Sequence, residues 1–464
     1  MMDVLFVDIP CLQKHTEAIL ADEMKEYYIQ CAKIINNVTN TEYSEKELYY
    51  SSGILCLSSY LKKNIPKINI GYMHYLIDKE LFFEKIQKTK VLAFSTMTYT
   101  MDVILELAKK AKEINPAVHI LLGGYHASYY ARKILEENPF IECILIKEGE
   151  YAFLQYLKGV TCEQIPGLAY RGLDNQVYVN TECKMLESEE IPIPDYSLIE
   201  DRINLFNISI STMRGCVGNC RFCVNRDYWS KPRFISIQKT ISELIYLKTI
   251  LEKGTVIHIN DNVFTVDEKR LDTLYSQMYI NGLVGYFNFE CDTLASFVSE
   301  RNVKMLQKIG IIKVCLGFED CNNDVIQQSN KPVSFQQNVN AAKLIKATAP
   351  NICVYAYWLI GLPGSTLSTM EENIDTMEQL IKQRIVDLIS PKVFIPYPGT
   401  EFFSNFRQYG IIELSYNWQL YERRNPPYPY KYSNISEDII FSTLIKAFRR
   451  CHEAYIQIHK EERV

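Results

Sequence analysis

Short apolar segments alternate with amphipathic segments of helical length through the first 160 residues. Residues 3–9 are apolar nearly throughout, which is typical of a strand buried on both faces of a parallel sheet. Further strands are predicted at 68–75, 91–96, 119–123 and 141–146, and helices at 51–63 and 101–114. This alternation predicts a doubly wound, Rossmann-like α/β sheet. A segment of helical and polar character, residues 11–48, interrupts the pattern, and we assign it no role.

The same alternation returns after residue 206. Strands are predicted at 206–212, 255–260, 286–290, 312–317, 352–359 and 387–395, and helices at 236–251, 267–280, 299–309, 334–347 and 368–383. Six strand–helix units in succession predict a partial parallel (β/α)6 barrel.

A hairpin with its turn at Asp174–Asn175, followed by the proline-bearing segment 191–196, separates the two patterns. We therefore expect four regions: a Rossmann-like domain (1–160), a hairpin and linker (161–200), the partial barrel (201–403) and a helical C-terminal extension (404–464). The extension contains a predicted helix, 436–460, with one apolar stripe that covers the barrel mouth or mediates dimers.

Composition narrows the class of protein. Of 464 residues, 47% are hydrophobic and 23% charged, and the net charge of −5 does not indicate a nucleic-acid surface. The longest apolar run, Ile352–Leu362, is too short to span a bilayer, and we expect neither a membrane partner nor a signal peptide. The 14 cysteines are scattered, mostly in apolar segments, which suits free thiols in the cytoplasm better than a disulfide framework.

Three cysteines of the chain, Cys216, Cys220 and Cys223, follow a predicted strand at CxxxCxxC spacing. Thiolates are the preferred ligands of iron–sulfur clusters, and Gly215 and Gly218 allow a compact loop that turns the sulfurs inward. Three thiolates leave one iron of a four-iron cluster open. Two alternatives stay open: three buried cysteines without a metal, and a zinc site, which usually needs a second cysteine pair that does not follow downstream.

Polar and glycine-bearing turns follow the strands of the first half. They contain Ser95 and Thr96, then Gly123, Gly124 and His126, and then Gly149 and Glu150. Ligands of doubly wound sheets bind beyond the carboxyl ends of the strands, and glycine lets the backbone approach a flat ligand. The alternative is a plain Rossmann-like domain that uses glycine for tight turns.

Acidic and glycine-bearing turns also follow the barrel strands, where barrel active sites lie. They contain Asp261, then Glu290 with Asp292, then Glu319, then Gly361 with Pro363, and then the segment 396–400. Each has an alternative interpretation, because acids at strand ends also cap helices or pair with lysines.

The cysteine run resembles the signature of the radical S-adenosylmethionine enzymes, and Phe222 before its last cysteine fits the family pattern. The resemblance implies that S-adenosylmethionine chelates the open iron and is cleaved to a 5′-deoxyadenosyl radical. It also implies cofactor contacts for Phe222, Asp261, Glu290, Glu319, Gly361 and Pro363. Asp292 stands where relatives often have arginine, so the local charge differs.

The turns of the first half resemble the cobalamin-binding domain of the cobalamin-dependent radical S-adenosylmethionine enzymes. The resemblance implies cobalamin contacts for Ser95, Thr96, Gly123, Gly124, His126, Gly149 and Glu150. The DxHxxG loop of many cobalamin domains is absent after Asp8, and His15 has the wrong spacing. We therefore expect that no histidine ligates cobalt from below, and we interpret His126 as a loop residue that faces the corrin edge or solvent.

The resemblance covers residues 3–403 and implies a function. We expect a methyltransferase that acts on an unactivated carbon, or a phosphorus, of a small metabolite or peptide, using a [4Fe–4S] cluster, S-adenosylmethionine and methylcobalamin. The alternatives are a non-methylating radical reaction, such as cyclisation, ring contraction or epimerisation, and a cobalamin-binding sensor without turnover. An external electron donor such as flavodoxin or ferredoxin is implied. The sequence assigns no catalytic residue.

Overall fold

The structure, a computed structural model, describes residues 1–10, 22–41, 48–229, 231–422 and 425–461. Within these residues the first half forms one seven-stranded sheet with the order β2-β1-β3-β4-β5-β6-β7. Its strands are β1 (Met2–Asp8), β2 (Ile70–His74), β3 (Thr89–Ser95), β4 (His119–Gly123), β5 (Cys143–Leu145), β6 (Leu168–Arg171) and β7 (Val177–Val179). The first five are parallel, and the predicted hairpin, β6 and β7, continues the sheet antiparallel to β5.

Helices cover both faces of this sheet. They are α2 (Ser52–Asn64), α3 (Tyr75–Asp78), α4 (Phe82–Ile86), α5 (Met101–Ile114), α6 (Tyr125–Glu137) and α7 (Glu150–Leu157). Helix α1 (Asp22–Thr39) precedes them in the chain but packs on the barrel. Alternate residues of β1 enter different apolar cores: Val4 belongs to the same core as Leu55 of α2, whereas Leu5 belongs to the same core as Ile104 of α5. A strand buried on both faces explains its continuous apolar sequence and confirms the doubly wound prediction.

The second half contains a six-stranded parallel sheet with the order β15-β14-β13-β12-β11-β8, which confirms the predicted partial barrel. In chain order the strands are β8 (Ile208–Ile210), β9 (Met213–Arg214), β10 (Arg233–Phe234), β11 (Val256–Ile259), β12 (Asn288–Thr293), β13 (Ile311–Glu319), β14 (Cys353–Ile360), β15 (Leu388–Val393), β16 (Ile411–Leu414) and β17 (Tyr430–Tyr432). Two antiparallel ribbons, β9–β10 and β16–β17, stand outside the barrel sheet.

Most helices around the barrel begin at a side-chain cap. The helices of this half are α8 (Asn225–Tyr228), α9 (Ile237–Ile250), α10 (Glu268–Ile280), α11 (Glu300–Ile309), α12 (Asn323–Gln328), α13 (Phe335–Thr348), α14 (Leu367–Lys382), α15 (Glu401–Ser404) and α16 (Glu437–Glu461). Ser236, Asp267, Ser299, Ser334 and Thr366 each accept a hydrogen bond from a first-turn backbone N–H. Such caps satisfy donors that the helix itself leaves unpaired, and they fix where each helix starts.

The insertion and the C-terminal extension meet at the barrel. Helix α1 packs against α16 and against β13 and β14, and α16 packs against α14 and β15. The Tyr27 ring lies 5.2 Å from Phe448 and 5.9 Å from Tyr455, and its hydroxyl accepts a hydrogen bond from Ile389 N. Residues 11–21 and 42–47 of the predicted insertion lie outside the described residues. The division of the chain at residues 160, 200 and 403 stays a prediction.

Two global expectations can be compared with the structure. In the described parts of the chain, no helix combines the length and the apolar character needed to cross a bilayer. Every cysteine that the structure describes is a free thiol, as the scattered positions predict.

Candidate cofactor and active site

One cavity of about 970 Å³ lies between the two sheets. The first half contributes Ser95, Gly123, Gly124, Gly149 and Glu150, and the second half contributes Arg214, Gly215, Asn225, His258, Asn260 and Asn262. Leu444 and Phe448 of α16 complete the wall. The volume is at the upper end of ligand pockets, so the cavity suits a large ligand. The carboxyl ends of both sheets therefore face one shared space.

Glycine lets the turns of the first half pack closely behind the cavity wall. Gly124 has φ 93° and ψ −177°, a conformation that is essentially limited to glycine. A Cβ atom there would lie 2.6 Å from the Thr96 carbonyl oxygen and 2.7 Å from its nitrogen. At Gly149 it would lie 3.1 Å from Leu145 Cδ1. Both glycines line the cavity, and their missing Cβ atoms let the turns pack against the protein behind the wall, so the wall offers backbone to a large planar ligand such as a corrin.

The structure separates the predicted cobalamin contacts into two groups. Ser95, Gly123, Gly124, Gly149 and Glu150 line the cavity. Thr96 lies behind them, where its hydroxyl donates to the Gly123 carbonyl at 2.8 Å and accepts from Ala127 N at 2.9 Å. Thr96 thus holds two turns together, and its predicted contact with cobalamin stays a prediction.

His126 also lies behind the cavity wall. It is 1% exposed, its ring centroid is 4.6 Å from that of Trp418, and its Nδ1 is 3.3 Å from Thr98 Oγ1. Burial lowers the pKa of His126 to about 4, so the ring is neutral at physiological pH. The His126 ring does not face solvent, because α6 turns the side chain into the aromatic core, and its predicted contact with the cobalamin edge stays a prediction.

Asp8 at the end of β1 lines the cavity, although no role was predicted for it. Its Oδ2 accepts hydrogen bonds from Ser51 N at 2.6 Å and from Tyr72 Oη at 2.8 Å. Burial raises the pKa of Asp8 to about 6, despite these hydrogen bonds. Its position at a strand end of the predicted sheet was the available signal, but the missing DxHxxG pattern drew attention away from it.

The three cysteines lie on the loop between β9 and α8, and each is partly buried. A Cβ atom at Gly218 would lie 3.4 Å from Cys216 Sγ and 3.9 Å from Cys220 Sγ, so glycine keeps the space beside both sulfurs open. Among the described residues, no three histidine, cysteine or acidic side chains are arranged to hold a single metal ion. A cluster presents separate iron atoms to separate thiolates, so the donor set and the open space fit a cluster.

Glu319 forms an ion pair with Lys331 beside the cysteine loop. The Lys331 Nζ–Glu319 Oε1 distance is 2.6 Å, and the two side chains are 4% and 9% exposed. A Cβ atom at Gly317 would overlap both charged groups, at 2.3 and 2.4 Å, so glycine makes room for the pair. Burial raises the pKa of Cys220 to about 12, whereas the charge of Lys331 acts in the opposite direction. Lys331 was not predicted as a site residue, because it follows a helix end and belongs to no recognisable motif.

Asp261 was predicted as a cofactor contact, but the structure uses it to hold the chain that leads to the cysteine loop. Its Oδ1 accepts from Thr212 N at 2.7 Å and from Met213 N at 2.9 Å, and its Oδ2 accepts from the Thr212 hydroxyl at 2.5 Å. The side chain is 2% exposed, and burial raises its pKa to about 6. Asp261 therefore supports the chain that leads to the cysteine loop, and its predicted cofactor contact stays a prediction.

Glu290 lies inside the barrel beside two basic residues. Its Oε2 is 2.9 Å from Lys313 Nζ and 3.6 Å from His258 Nδ1. Burial alone raises its pKa, but Lys313 and His258 outweigh burial and lower the pKa to about 2. Oε1 is buried and has no hydrogen-bond partner among the described residues. The carboxylate is therefore ionised and keeps one free acceptor, which is compatible with the predicted cofactor contact.

The remaining predicted contacts lie away from the cavity wall. Phe222 is half-buried against the main apolar core. Gly361 has φ 79°, and its carbonyl accepts a hydrogen bond from Tyr432 Oη at 2.9 Å. Pro363 is buried in the same turn. The contacts of these three residues with S-adenosylmethionine stay predictions.

Hydrogen bonds join the cysteine loop to both halves. Tyr125 Oη of α6 donates to Asn225 Oδ1 at 2.6 Å, and Asn225 Nδ2 donates to Asn262 Oδ1 at 2.8 Å. Asn262 Nδ2 in turn donates to the Gly215 carbonyl at 2.9 Å. The chain of donors runs from the first half through α8 to the turn after β11, so the loop has one defined place at the cavity.

Comparison with known proteins identifies two domains. Residues 46–157 match the B12-binding domain family, and residues 210–377 match the radical SAM superfamily. The chain is 27% identical over 375 residues to the uncharacterized methyltransferase PH0819 of Pyrococcus horikoshii, covering 77% of each protein. It is 26% identical to the anaerobic magnesium-protoporphyrin IX monomethyl ester cyclase of Cereibacter sphaeroides, covering 75% of this chain but only 59% of the cyclase.

Solved structures share the fold. The cobalamin-dependent S-adenosylmethionine radical enzyme OxsB, with aqua-cobalamin and S-adenosylmethionine bound, superposes with a TM-score of 0.72 at 14% identity, covering 95% of this chain and 66% of that chain. The radical S-adenosylmethionine methyltransferase TsrM of Kitasatospora setae superposes with a TM-score of 0.62 at 12% identity, covering 86% of this chain and 77% of that chain. With both domains in this order around one cavity, the chain belongs to the cobalamin-dependent radical S-adenosylmethionine enzymes.

Proposed function

We propose that the protein is a methyltransferase that acts on an unactivated carbon, or a phosphorus, of a small metabolite or peptide. The observation that carries the proposal is the shared cavity of about 970 Å³, whose wall joins the glycine turns of the B12-binding domain to Gly215 and Asn225, which flank the three cysteines of the radical SAM domain. The methyltransferase PH0819, which is similar along most of both chains, supports the same reaction class.

The residues divide the work between two sites. Cys216, Cys220 and Cys223 would hold a [4Fe–4S] cluster, and the glycine turns would hold cobalamin by backbone contacts. When bound, the cluster and S-adenosylmethionine supply a radical that removes a hydrogen atom, and cobalamin supplies a methyl group. The Glu319–Lys331 pair places fixed charges beside the cysteine loop. The enclosing walls keep water from a reactive substrate.

One observation supports a second candidate function. Two relatives at 26% and 24% identity are anaerobic magnesium-protoporphyrin IX monomethyl ester cyclases. A non-methylating radical reaction on the same scaffold is therefore the second candidate. It needs the same cluster and S-adenosylmethionine site, so the two functions differ in whether a methyl group passes through cobalamin.

We further infer that electrons come from an external donor such as flavodoxin or ferredoxin, and that the protein works in the cytoplasm without nucleic acid or membrane partners. The free thiols support a reducing compartment.

The test needs no substrate. Protein purified without oxygen and reconstituted with iron, sulfide and cobalamin is reduced and given S-adenosylmethionine. We expect 5′-deoxyadenosine from cleavage at the cluster and S-adenosylhomocysteine from methylation of reduced cobalamin. Cys220→Ala should lose the first product and keep bound cobalamin. A protein that forms 5′-deoxyadenosine but no S-adenosylhomocysteine would support the non-methylating function instead.

A further inference from the structure

Four buried charges connect the two halves at the edge of the cavity. Glu148 and Glu150 lie on the turn after β5, and Arg214 and Arg233 lie on the ribbon β9–β10. Arg214 is 2.9 Å from Glu148 and 2.8 Å from Glu150, and Arg233 is 2.6 Å from Glu148. The four side chains are between 2% and 13% exposed. We call these four residues the ion-pair clamp.

The β9–β10 ribbon would be electrostatically unfavourable without the carboxylates of the first half. Arg214 and Arg233 stand directly opposite each other in the antiparallel register. Like charges at opposed strand positions repel, and burial increases that repulsion. The carboxylates of the first half neutralise both guanidinium groups, and Glu148 bonds to both arginines at once. The ribbon that leads into the cysteine loop is therefore complete only when the turn after β5 is docked on it.

The clamp touches both candidate cofactor sites. Arg214 precedes Cys216 by two positions, and it lines the cavity. Glu148 and Glu150 flank Gly149, whose backbone belongs to the wall that fits a corrin. The backbone carbonyl of the neighbouring Lys147 also accepts a hydrogen bond from Tyr228 Oη at 2.6 Å. Any displacement of the turn after β5 would therefore move one site relative to the other.

The halves do not need the clamp to stay together. One apolar core runs from Val4 and Leu55 of the first half to Ile208 and Val314 of the barrel. Buried ion pairs add little net stability when compared with apolar packing, because removing charges from water offsets their attraction. Buried ion pairs instead fix the relative orientation of the segments that carry them, because a forked guanidinium bonds its carboxylates in one geometry.

We propose that the ion-pair clamp is a positioning device that sets the separation between the cysteine loop and the cobalamin wall. The identity of the two cofactors rests on the proposed function, but the coupling of the two segments does not. In this proposal the Glu150 carboxylate acts on Arg214, and its predicted contact with cobalamin stays a prediction. The clamp residues are positioning residues, because they act through the loop and the turn.

The main test measures the distance between the two cofactors. In reconstituted holoenzyme, the magnetic coupling between the reduced cluster and cob(II)alamin reports their separation. We expect Arg214→Gln to broaden or shift the distance distribution, with iron and cobalamin contents unchanged. The rate of S-adenosylhomocysteine formation should fall about a hundredfold, because a misplacement of about 1 Å has that effect on group transfer. Glu150→Gln keeps Glu148 in place and should give the same changes in milder form.

Arg202→Gln is the matched control. Arg202 forms a buried pair with Asp78 at 2.8 Å, with side chains 17% and 9% exposed, and makes no contact with the clamp in the described structure. This variant should keep the wild-type distance distribution, even if it melts at a lower temperature. A wild-type distribution in Arg214→Gln, or an equal change in Arg202→Gln, would overturn the proposal.

A second measurement does not depend on cofactors. Hydrogen exchange of the full chain should become faster in both the segment 213–224 and the segment 147–152 when Arg214 or Glu150 is replaced by glutamine. Faster exchange in the mutated segment alone would refute the coupling. Wild-type protein that binds no cobalamin or forms no cluster would refute the proposed function, and the exchange result would still decide the clamp.

Discussion

Replacing Gly124 by alanine tests the cavity wall most directly. At φ 93° and ψ −177°, an L-residue is strained by about 1–3 kcal/mol. The new Cβ would also lie 2.6 and 2.7 Å from two backbone atoms of Thr96, which cannot rotate away as a side chain would. Overpacking of this kind adds about 1–3 kcal/mol. We therefore expect the free energy of unfolding to fall by about 4 kcal/mol.

Gly159 provides the control, because it separates backbone strain from collision. It has φ 74°, and no atom lies within 4 Å of the position of a Cβ. Gly159→Ala should cost only the left-handed conformation, about 1 kcal/mol. It lies at the end of α7, away from the cavity, so cobalamin binding should be unchanged.

The assay combines urea unfolding of the apoprotein with the cobalamin content of reconstituted protein. Gly124→Ala should shift the unfolding midpoint clearly more than Gly159→Ala does. It should also reduce bound cobalamin at concentrations that saturate the wild type, because the turns at Thr96 and Gly124 must move apart. Equal stabilities of the two variants, or full cobalamin binding by Gly124→Ala, would refute the assignment of this wall.

Three further predictions follow. Cys220→Ala should abolish the iron–sulfur absorbance after reconstitution, whereas Cys321→Ala, a partly buried cysteine outside the loop, should keep it. Burial raises the pKa of Glu243 from 4.5 to about 8, so its contribution to stability is full below pH 4.5 and falls as the pH rises to 8. Glu243→Gln should therefore gain up to about 5 kcal/mol over the wild type at pH 9, measured by urea unfolding, and a constant difference across pH would contradict this reasoning. Lys331→Met removes a cation beside the cysteine loop and should make the cluster harder to reduce in a redox titration. Lys346→Met is the control and should leave the reduction potential unchanged, because it breaks the ion pair with Asp387, which lies away from the cysteine loop.

The fold was predictable because strands and helices differ in their apolar period. The helix predicted at 101–114 is observed at Met101–Ile114. The strand predicted at 286–290 is instead Asn288–Thr293. Tyr286 belongs to a turn, where its hydroxyl donates to the Leu251 carbonyl at 2.9 Å. The strand continues through Glu290 and Asp292 because its inner face borders a polar barrel interior, which an apolar pattern does not mark.

Glycines of the site were easier to predict than its charged groups. Gly124 is recognisable because a backbone conformation requires it, and that requirement is local. A carboxylate takes whichever partner the fold brings near. Asp261 meets Thr212, and Glu150 meets Arg214, across 49 and 64 positions of sequence. The motifs therefore correctly predicted that each acid lies near the carboxyl end of a strand. They could not predict whether its carboxylate bonds to the protein or contacts a cofactor.

The two family domains share one core and cannot be treated as separable parts. Helix α1 follows β1 of the first sheet in the chain, yet it packs on α16 and the barrel strands β13 and β14. The Tyr27 hydroxyl bonds to Ile389 of β15, 362 positions away. Such interlocking removes freedom between the halves before any ligand binds. A reaction in which two large cofactors meet one substrate depends on that fixed geometry, because positioning lost at either site lowers the rate of the shared step.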